Sequence, residues 1–163
     1  MNFAKVLKSR FELDDKKKII VMCAAVFLVI LIDQLTKYLV AINFQLNQSI
    51  PVIMNILDFT YIHNFGAGFG IFQNQLPFLI IFSLLTIGII LFYYKKINTT
   101  YLQLFISVFL GAAVSNLIDR IRLGYIVDFI DFKIWPVFNF ADSMLTISSI
   151  CLICYLIFKK EAH

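Results

Sequence analysis

The chain has 163 residues, of which 61% are hydrophobic and 15% are charged, with a mean hydropathy of +0.87 and a formal net charge of +4. Soluble domains contain about 45–50% apolar and about 25% charged residues, so this composition excludes an ordinary water-soluble globule. At this length the sequence predicts a single integral membrane domain, residues 1–163, whose fold is an all-α bundle in lipid. The positive charge is explained by membrane topology, and no nucleic-acid partner is expected.

Four segments are long and apolar enough to cross about 30 Å of hydrocarbon, which takes about 20 helical residues. We predict spans at about 19–42, 76–94, 101–118 and 138–158, with two outer loops at 43–75 and 119–137. The first span follows three lysines, as a signal peptide would. It is longer than the apolar region of a signal peptide, however, so we expect it to remain uncleaved.

Basic residues lie mostly at one set of helix ends. They precede the first span, occupy the short turn between the second and third, and follow the fourth: Lys5, Lys8, Arg10, Lys16, Lys17, Lys18, Lys95, Lys96, Lys159 and Lys160. This bias predicts a multi-pass protein with both termini in the cytoplasm and the two longer loops outside. Arg120, Arg122 and Lys133 oppose the bias, so each of them requires a local partner.

The first outer loop is rich in aromatic residues and ends in glycines, as ILDFTYIHNFGAGFG. Alternating Phe59, Tyr61 and His63 predict a short strand that ends before Gly66. We therefore expect a small β-containing region outside the membrane. GAGFG does not open a helix in a βαβ unit, so a nucleotide-binding loop is not indicated.

Polar side chains recur at helical spacing in three of the four spans. The sets are Asn139, Asp142 and Thr146 on the fourth span, Asn116, Asp119 and Arg120 on the third, and Asp33, Thr36 and Lys37 on the first. Each residue alone is explained by helix capping or by hydrogen bonds between helices. Together they place carboxylates near one membrane surface. A charged acid within the bilayer costs about 2.5–3.5 kcal/mol, so the set indicates function.

The sequence gives little indication that histidine or cysteine residues catalyse a reaction or bind a metal. His63 and His163 are the two histidines, neither belongs to an HExxH motif, and we predict no metal site and no cofactor. Cys151 and Cys154 form a CxxC motif inside an apolar helix. A redox or zinc site needs a polar setting, so helix packing is the simpler interpretation.

The remaining reactive groups are carboxylates, and two of them suffice for hydrolysis. A close pair shares one proton, because like charges a few Å apart cannot both ionise. One member then acts as base on a water, while the protonated member polarises the scissile carbonyl. This is the chemistry of an aspartic protease. Spacing alone does not choose among Asp119, Asp128 and Asp131 as the partner of Asp142.

Five motifs occur in a fixed order along these spans and loops. They are DQLTK at Asp33–Lys37, NFGAGFG at Asn64–Gly70, GAAVSNLIDR at Gly111–Arg120, IVDFI at Ile126–Ile130 and FNFAD at Phe138–Asp142. With the four spans, they resemble the type II (lipoprotein) signal peptidases of bacteria over nearly the whole chain. Ser115 stands where that family usually has glycine, and a close helix contact is expected to loosen there.

The resemblance implies a role for each matching residue. Asp128 and Asp142 would be the catalytic dyad of an intramembrane aspartic endopeptidase. Asn64, Gly66, Asn116, Arg120 and Asn139 would bind substrate or line the site, and Asp33, Lys37 and Asp119 would support it structurally. The substrates would be diacylglyceryl-modified prolipoproteins, cut before the lipid-modified Cys at the outer face of the bacterial cytoplasmic membrane. We expect a monomer surrounded by membrane lipid.

Two other hypotheses belong to different classes. A proton-coupled transporter would use Asp33 and Asp142 as proton carriers, but it usually has repeated halves and a site near the bilayer midplane. A structural membrane subunit would tolerate Asp128→Asn and Asp142→Asn without functional loss. The clustering of carboxylates near one surface favours the peptidase.

Overall fold

The structure is a computed structural model that describes residues 14–94, 97 and 99–160. Several residues used in the topology prediction lie outside this part of the chain or have undescribed side chains: Lys5, Lys8, Arg10, Lys95, Lys96, Lys159 and Lys160. His163 also lies outside it. The cytoplasmic location of both termini therefore stays a prediction.

Long apolar helices and a small sheet make up the described chain. The order is α1 (Asp15–Asn43), β1 (Ser49–Ile53), β2 (Leu57–Asn64), a 3-10 turn (Gly68–Gly70), α2 (Leu76–Tyr94), α3 (Thr100–Leu123), β3 (Ile126–Asp131) and α4 (Phe140–Lys160). Among the described residues, four helices are long and apolar enough to cross a membrane. The predicted all-α membrane fold with a β-containing loop region is confirmed.

Helix α3 forms the centre of the bundle, with α1, α2 and α4 packed around it. The approach to α1 is close at Gly111, where an added Cβ would lie 2.9 Å from the backbone oxygen of Val26. Val29, Ala112 and Ala141 form the buried contact that joins α1, α3 and α4. Small residues at these positions let the helix backbones approach, as is usual in membrane bundles.

Helix α3 continues beyond its predicted end at residue 118 and stops at Leu123. Gly124 ends it in the left-handed conformation, with φ of 82°, and its N–H bonds to the carbonyl of Arg120. Glycine adopts this conformation without steric cost, so the chain turns sharply there into β3. As a result, Asp119 and Arg120 lie on a rigid helix rather than in a loop.

The three strands form an antiparallel sheet in the order β1-β2-β3. β2 is the predicted strand, whereas β1 and β3 were not recognised in the sequence. Val40 at the end of α1 packs with Tyr61, Val127 and Phe129 in a buried cluster. This cluster fixes the sheet over one end of the helix bundle, which we call the sheet end.

Two of the three cations that oppose the charge bias find local partners near the sheet. Lys133 Nζ lies 2.5 Å from Asp58 and 3.1 Å from Asp131. Arg122 donates to the side-chain oxygen of Gln34 at 3.5 Å. The third cation, Arg120, donates to the backbone carbonyl of Gly66.

Candidate active site

A cavity of about 580 Å³ lies at the sheet end of the bundle, lined by residues of α2, α3, α4, β2 and β3. Six of the seven residues predicted to catalyse or to bind substrate line it: Asn64, Gly66, Asn116, Arg120, Asp128 and Asp142. The seventh, Asn139, is fully buried beside them. Four separate segments of the chain thus converge on one space.

Asp142 lies in the first turn of α4, where local hydrogen bonds orient it. Its backbone N–H donates to the Asn139 side-chain oxygen at 2.8 Å, and its carboxylate accepts from the Asn139 backbone N–H at 3.4 Å. This reciprocal pair is a capping arrangement that begins a helix. The helix start therefore holds the carboxylate towards the cavity.

Asp128 lies in the middle of β3 and is fully buried. Asn64, at the end of β2, donates to one of its oxygens at 2.9 Å, and Asn139 donates to the other at 2.7 Å. The conformation of this segment could not be derived from sequence. Strand pairing with β2, in which Asn64 lies opposite Ile126, places the carboxylate inside.

Two asparagine side chains connect the two carboxylates. Asn116 donates to Asp142 at 2.9 Å, and Asn139, which donates to Asp128, also donates to the side-chain oxygen of Asn116 at 3.3 Å. The chain of bonds runs from Asp142 through Asn116 and Asn139 to Asp128. The amides therefore fix the two acids relative to each other while their remaining lone pairs stay available.

Burial raises the pKa of Asp128 from its ordinary value of 3.8 to about 7, and the charge of Asp142 adds to this rise. The hydrogen bonds from Asn64 and Asn139 act in the opposite direction, because they stabilise the ionised form. The net result is a carboxyl group that holds its proton close to neutral pH. A carboxyl pair with one shared proton is suited to acid–base hydrolysis.

Lys37 lies in a buried ion cluster behind the two acids. Its ammonium is 2.6 Å from Asp33 and 2.8 Å from Asp119, and it donates to the Asn116 side-chain oxygen at 2.8 Å. All four residues are buried. Asp119 is therefore paired with Lys37, and the polar faces of α1 and α3 meet there.

The acids of this cluster also hold the backbone beside the cavity carboxylates. Asp33 accepts the backbone N–H of Ala141 at 2.8 Å, one residue before Asp142. Asp119 accepts the backbone N–H of Val127 at 3.4 Å, one residue before Asp128. Lys37 thus joins two anchor points that set the positions of α4 and β3.

Ser115 contributes to the same cluster. Its hydroxyl donates to Asp33 at 2.7 Å and accepts from the Gln34 amide at 3.1 Å. The side chain is fully buried between α1 and α3, so a residue larger than glycine fits here and adds a donor to Asp33. Thr36 is not part of the cluster, because its hydroxyl bonds back to the carbonyls of Ile32 and Asp33.

Arg120 connects α3 to the glycine-rich loop, NFGAGFG at Asn64–Gly70. Its guanidinium donates to the Gly66 carbonyl at 3.3 Å and to the Ser83 hydroxyl at 3.4 Å. Its Nε is buried and makes no hydrogen bond to any residue that the structure describes. Gly66 has no room for a side chain, since a Cβ would lie 2.8 Å from the Ile71 carbonyl oxygen and 2.9 Å from the Gln73 amide nitrogen.

Ser83 and Gln73 line the cavity as well, and sequence reasoning missed both. Ser83 and Thr86, one helical turn apart on the apolar helix α2, both line the cavity, but the sequence places no carboxylate or amide near them that would have marked this face. His63 also lines the cavity, stacked on Tyr125 at 3.7 Å, and burial lowers its pKa. Within the described ranges, no group of three or more His, Cys, Asp or Glu residues is placed to hold a metal ion.

The fold and the cavity define a multi-pass membrane protein with two carboxylates, Asp128 and Asp142, in one cavity at the sheet end of its helix bundle. The family model described as signal peptidase (SPase) II matches residues 25–158. The chain belongs to this family and is therefore a membrane peptidase. The family resemblance noted in the sequence is confirmed.

Individual relatives and solved structures agree with this assignment. The lipoprotein signal peptidase of Halothermothrix orenii is 43% identical over 132 residues, covering 80% of this chain and 91% of the relative. The lipoprotein signal peptidase of Streptococcus agalactiae is 38% identical over 151 residues, covering 90% and 97%. A solved structure of a bacterial membrane enzyme is 33% identical, covers 90% of this chain and 91% of its own, and superposes with a TM-score of 0.80.

Proposed function

We propose that this protein removes signal peptides from diacylglyceryl-modified prolipoproteins and cuts just before the lipid-modified Cys. The names of its relatives support the substrate class. The observation that carries the chemistry is the position of Asp128 and Asp142 in one cavity, linked through the side chains of Asn116 and Asn139.

Hydrolysis proceeds with one proton shared by the two acids. The ionised carboxylate takes a proton from water as the water oxygen attacks the scissile carbonyl carbon, and the protonated carboxyl group donates to the carbonyl oxygen. Collapse of the tetrahedral intermediate breaks the C–N bond, and the amine nitrogen takes up a proton from the acid pair. The amides of Asn64 and Asn139 hold Asp128 in place throughout.

Substrate backbone is positioned by the glycine-rich loop and by Arg120. The loop reaches the cavity at Gly66, which is buried and has no room for a side chain, and whose N–H bonds to the Asn64 side-chain oxygen. Arg120 holds that loop through the Gly66 carbonyl and retains a buried N–H for a substrate acceptor. Asn116 also lines the cavity, and the buried Asn139 holds both Asn116 and Asp128 from behind.

The sheet end faces the outside of the bacterial cytoplasmic membrane, and both termini face the cytoplasm. Lysines at the start of α1, opposite the sheet end, support this orientation through the bias of basic residues towards the cytoplasm. A cavity at the bilayer surface lets the acyl chains of the substrate remain in lipid while water reaches the peptide bond. The protein acts as a monomer without a cofactor.

Cleavage of a synthetic prolipoprotein peptide with a diacylglyceryl-modified Cys tests this function directly. Purified protein in lipid is expected to cut it on the N-terminal side of that Cys in the presence of EDTA, with the products identified by mass spectrometry. The same peptide with an unmodified Cys is the matched control and should remain uncut. Cleavage elsewhere, or equal cleavage of both peptides, would reject the proposed specificity.

The pH dependence of cleavage should reveal the shared proton. Because the pKa of Asp128 is raised to about 7, kcat/KM is expected to fall above that pH, roughly tenfold per pH unit, as the proton is lost. The folded protein also binds more protons than the unfolded chain between the ordinary pKa of 3.8 and about 7. This group therefore makes the protein less stable as pH rises through that window. A profile that stays flat to pH 9 would contradict a shared proton.

A further inference from the structure

The hairpin formed by β1 and β2 exposes apolar side chains that nothing in the described chain covers. Met54 at its turn is 82% exposed, and Ile50 on β1 is 42% exposed. Every residue of β1 is exposed, and the sequence has no charged residue from Tyr38 to Leu57. Edge strands in water normally carry charges that prevent association. This strand has none and exposes apolar side chains, which is typical of a surface that is covered.

The two faces of the hairpin differ in chemistry. In the strand register, Ser49 lies opposite Thr60, and on the other face Ile50 lies opposite Phe59. The Ser49 face is polar: the Ser49 hydroxyl bonds to Asp58 at 2.9 Å and to Thr60 at 2.8 Å. Lys133 pairs with Asp58 on the same face. An antiparallel sheet with one apolar and one polar face separates two environments.

The apolar face is continuous with the contact between the sheet and α1. Phe59 packs edge-to-face on Phe129, with ring centroids 6.1 Å apart. Phe129 belongs to the cluster that includes Val40 of α1. Since α1 is a membrane-spanning helix and its end lies under this face, the apolar face is turned towards the membrane and the polar face away from it.

We propose that the β1–β2 hairpin lies in the headgroup region of the adjacent leaflet, with Ile50, Met54 and Phe59 in contact with acyl chains. The occupant of this surface is lipid, because the surface continues the lipid-facing surface of the bundle. β2 carries Asn64 and pairs with the strand that carries Asp128, so the embedded hairpin sets the height of the cavity relative to the bilayer. This inference does not depend on the substrate.

Single-tryptophan variants test the placement of each face. On a Trp135→Phe background, Ile50→Trp and Met54→Trp place the probe on the apolar face and at the turn, and Pro51→Trp places it on the polar face of the same strand. In phospholipid vesicles, lipids brominated on their acyl chains should quench the first two probes at least about twofold more than the third. Iodide in the water should show the reverse order.

The same experiment distinguishes lipid from water and from a second copy of the chain as the occupant of the apolar face. Equal quenching of Ile50→Trp and Pro51→Trp by iodide would mean a water-exposed hairpin and would overturn the proposal. Shielding of Ile50→Trp from iodide without quenching by brominated lipid would also overturn it, in favour of a second copy of the chain. Thermal unfolding in detergent should match that of the Trp135→Phe parent for each variant.

The unmodified protein provides a second readout that needs no substitution. In vesicles, hydroxyl radicals generated in the water should oxidise Met54 as slowly as Met22. Met22 is a residue of α1 that is only 4% exposed. A water-exposed Met54 would instead be oxidised at least about tenfold faster than Met22, because oxidation follows exposure. Peptide mass spectrometry of the oxidised protein decides between the two results.

Discussion

Replacing either Asp128 or Asp142 by asparagine is expected to lower kcat for prolipoprotein cleavage by about 10²–10⁴-fold or more, because an amide neither accepts nor supplies the proton. Asparagine keeps the size and polarity of aspartate, so the fold should persist. In the Asp142→Asn variant, the amide oxygen would still accept the hydrogen bond that Asn116 donates to the carboxylate at 2.9 Å. Loss of cleavage with normal thermal unfolding therefore identifies ionisation as the essential property.

The Asp128→Asn variant is expected to lose stability as well as activity. Both carboxylate oxygens accept a side-chain amide, from Asn64 and from Asn139. An asparagine there turns one of its N–H groups towards one of these donors, so a modest loss of stability is expected in addition to the loss of activity. Measuring unfolding and cleavage on the same preparation separates the two effects.

Asp131→Asn is the matched control for this experiment. Asp131 lies on the same strand, three residues after Asp128, and bonds to Thr60 and Lys133 instead of lining the cavity. The control variant should cleave at nearly the rate of the unmodified protein. If cleavage survived in both Asp128→Asn and Asp142→Asn, the dyad would be rejected, and a proton-coupled transporter would have to be reconsidered.

The parts of the site that lie on helices were predictable because helical periodicity is local. Asn116 and Arg120 share a helix face by spacing alone, as do Asn139 and Asp142, and an intramembrane polar residue is conspicuous in an apolar sequence. The structure brings these faces together at one end of the bundle. Periodicity also places Lys37 one turn after Asp33 on α1. It could not show that Lys37 reaches Asp119, because that contact depends on how α1 and α3 pack.

The strands were harder to predict, for a physical reason. IVDFID has no clean alternation of polar and apolar residues, since its first four residues are all buried. Its partner, β2, lies more than 60 residues earlier, with Asn64 opposite Ile126. Pairing between two strands so far apart in the sequence depends on how the helix bundle positions them. For the same reason, only the family resemblance could choose Asp128 over Asp131 at the sequence level.

Lys37→Met is expected to be the most destabilising single substitution in the ion cluster. It leaves Asp33 and Asp119 buried without their cation, and breaking a buried ion pair costs about 3–5 kcal/mol. For a chain of this length, the apparent unfolding temperature should fall by roughly 6–20 °C. Thermal unfolding in detergent, followed by circular dichroism, measures the change.

Lys133→Met is an informative control, because Lys133 also bridges two aspartates, Asp58 and Asp131. Its side chain is 40% exposed, compared with 4% for that of Lys37. Water screens exposed ion pairs, so this variant should unfold close to the temperature of the unmodified protein. Similar losses for both variants would show that burial does not determine the strength of the cluster.

The Lys37 cluster should also affect catalysis through the backbone. Asp33 and Asp119 hold the N–H groups of Ala141 and Val127, each one residue before an aspartate of the proposed dyad. Neutralising both acids in the Lys37→Met chain, as Asp33→Asn and Asp119→Asn, removes the unpaired charges and should restore most of the lost stability. Since Lys37 also bonds to Asn116, which holds Asp142, the neutral triple variant should still show a lower kcat with little change in KM. Full recovery of kcat together with stability would show that the cluster supports only the fold and does not position the dyad.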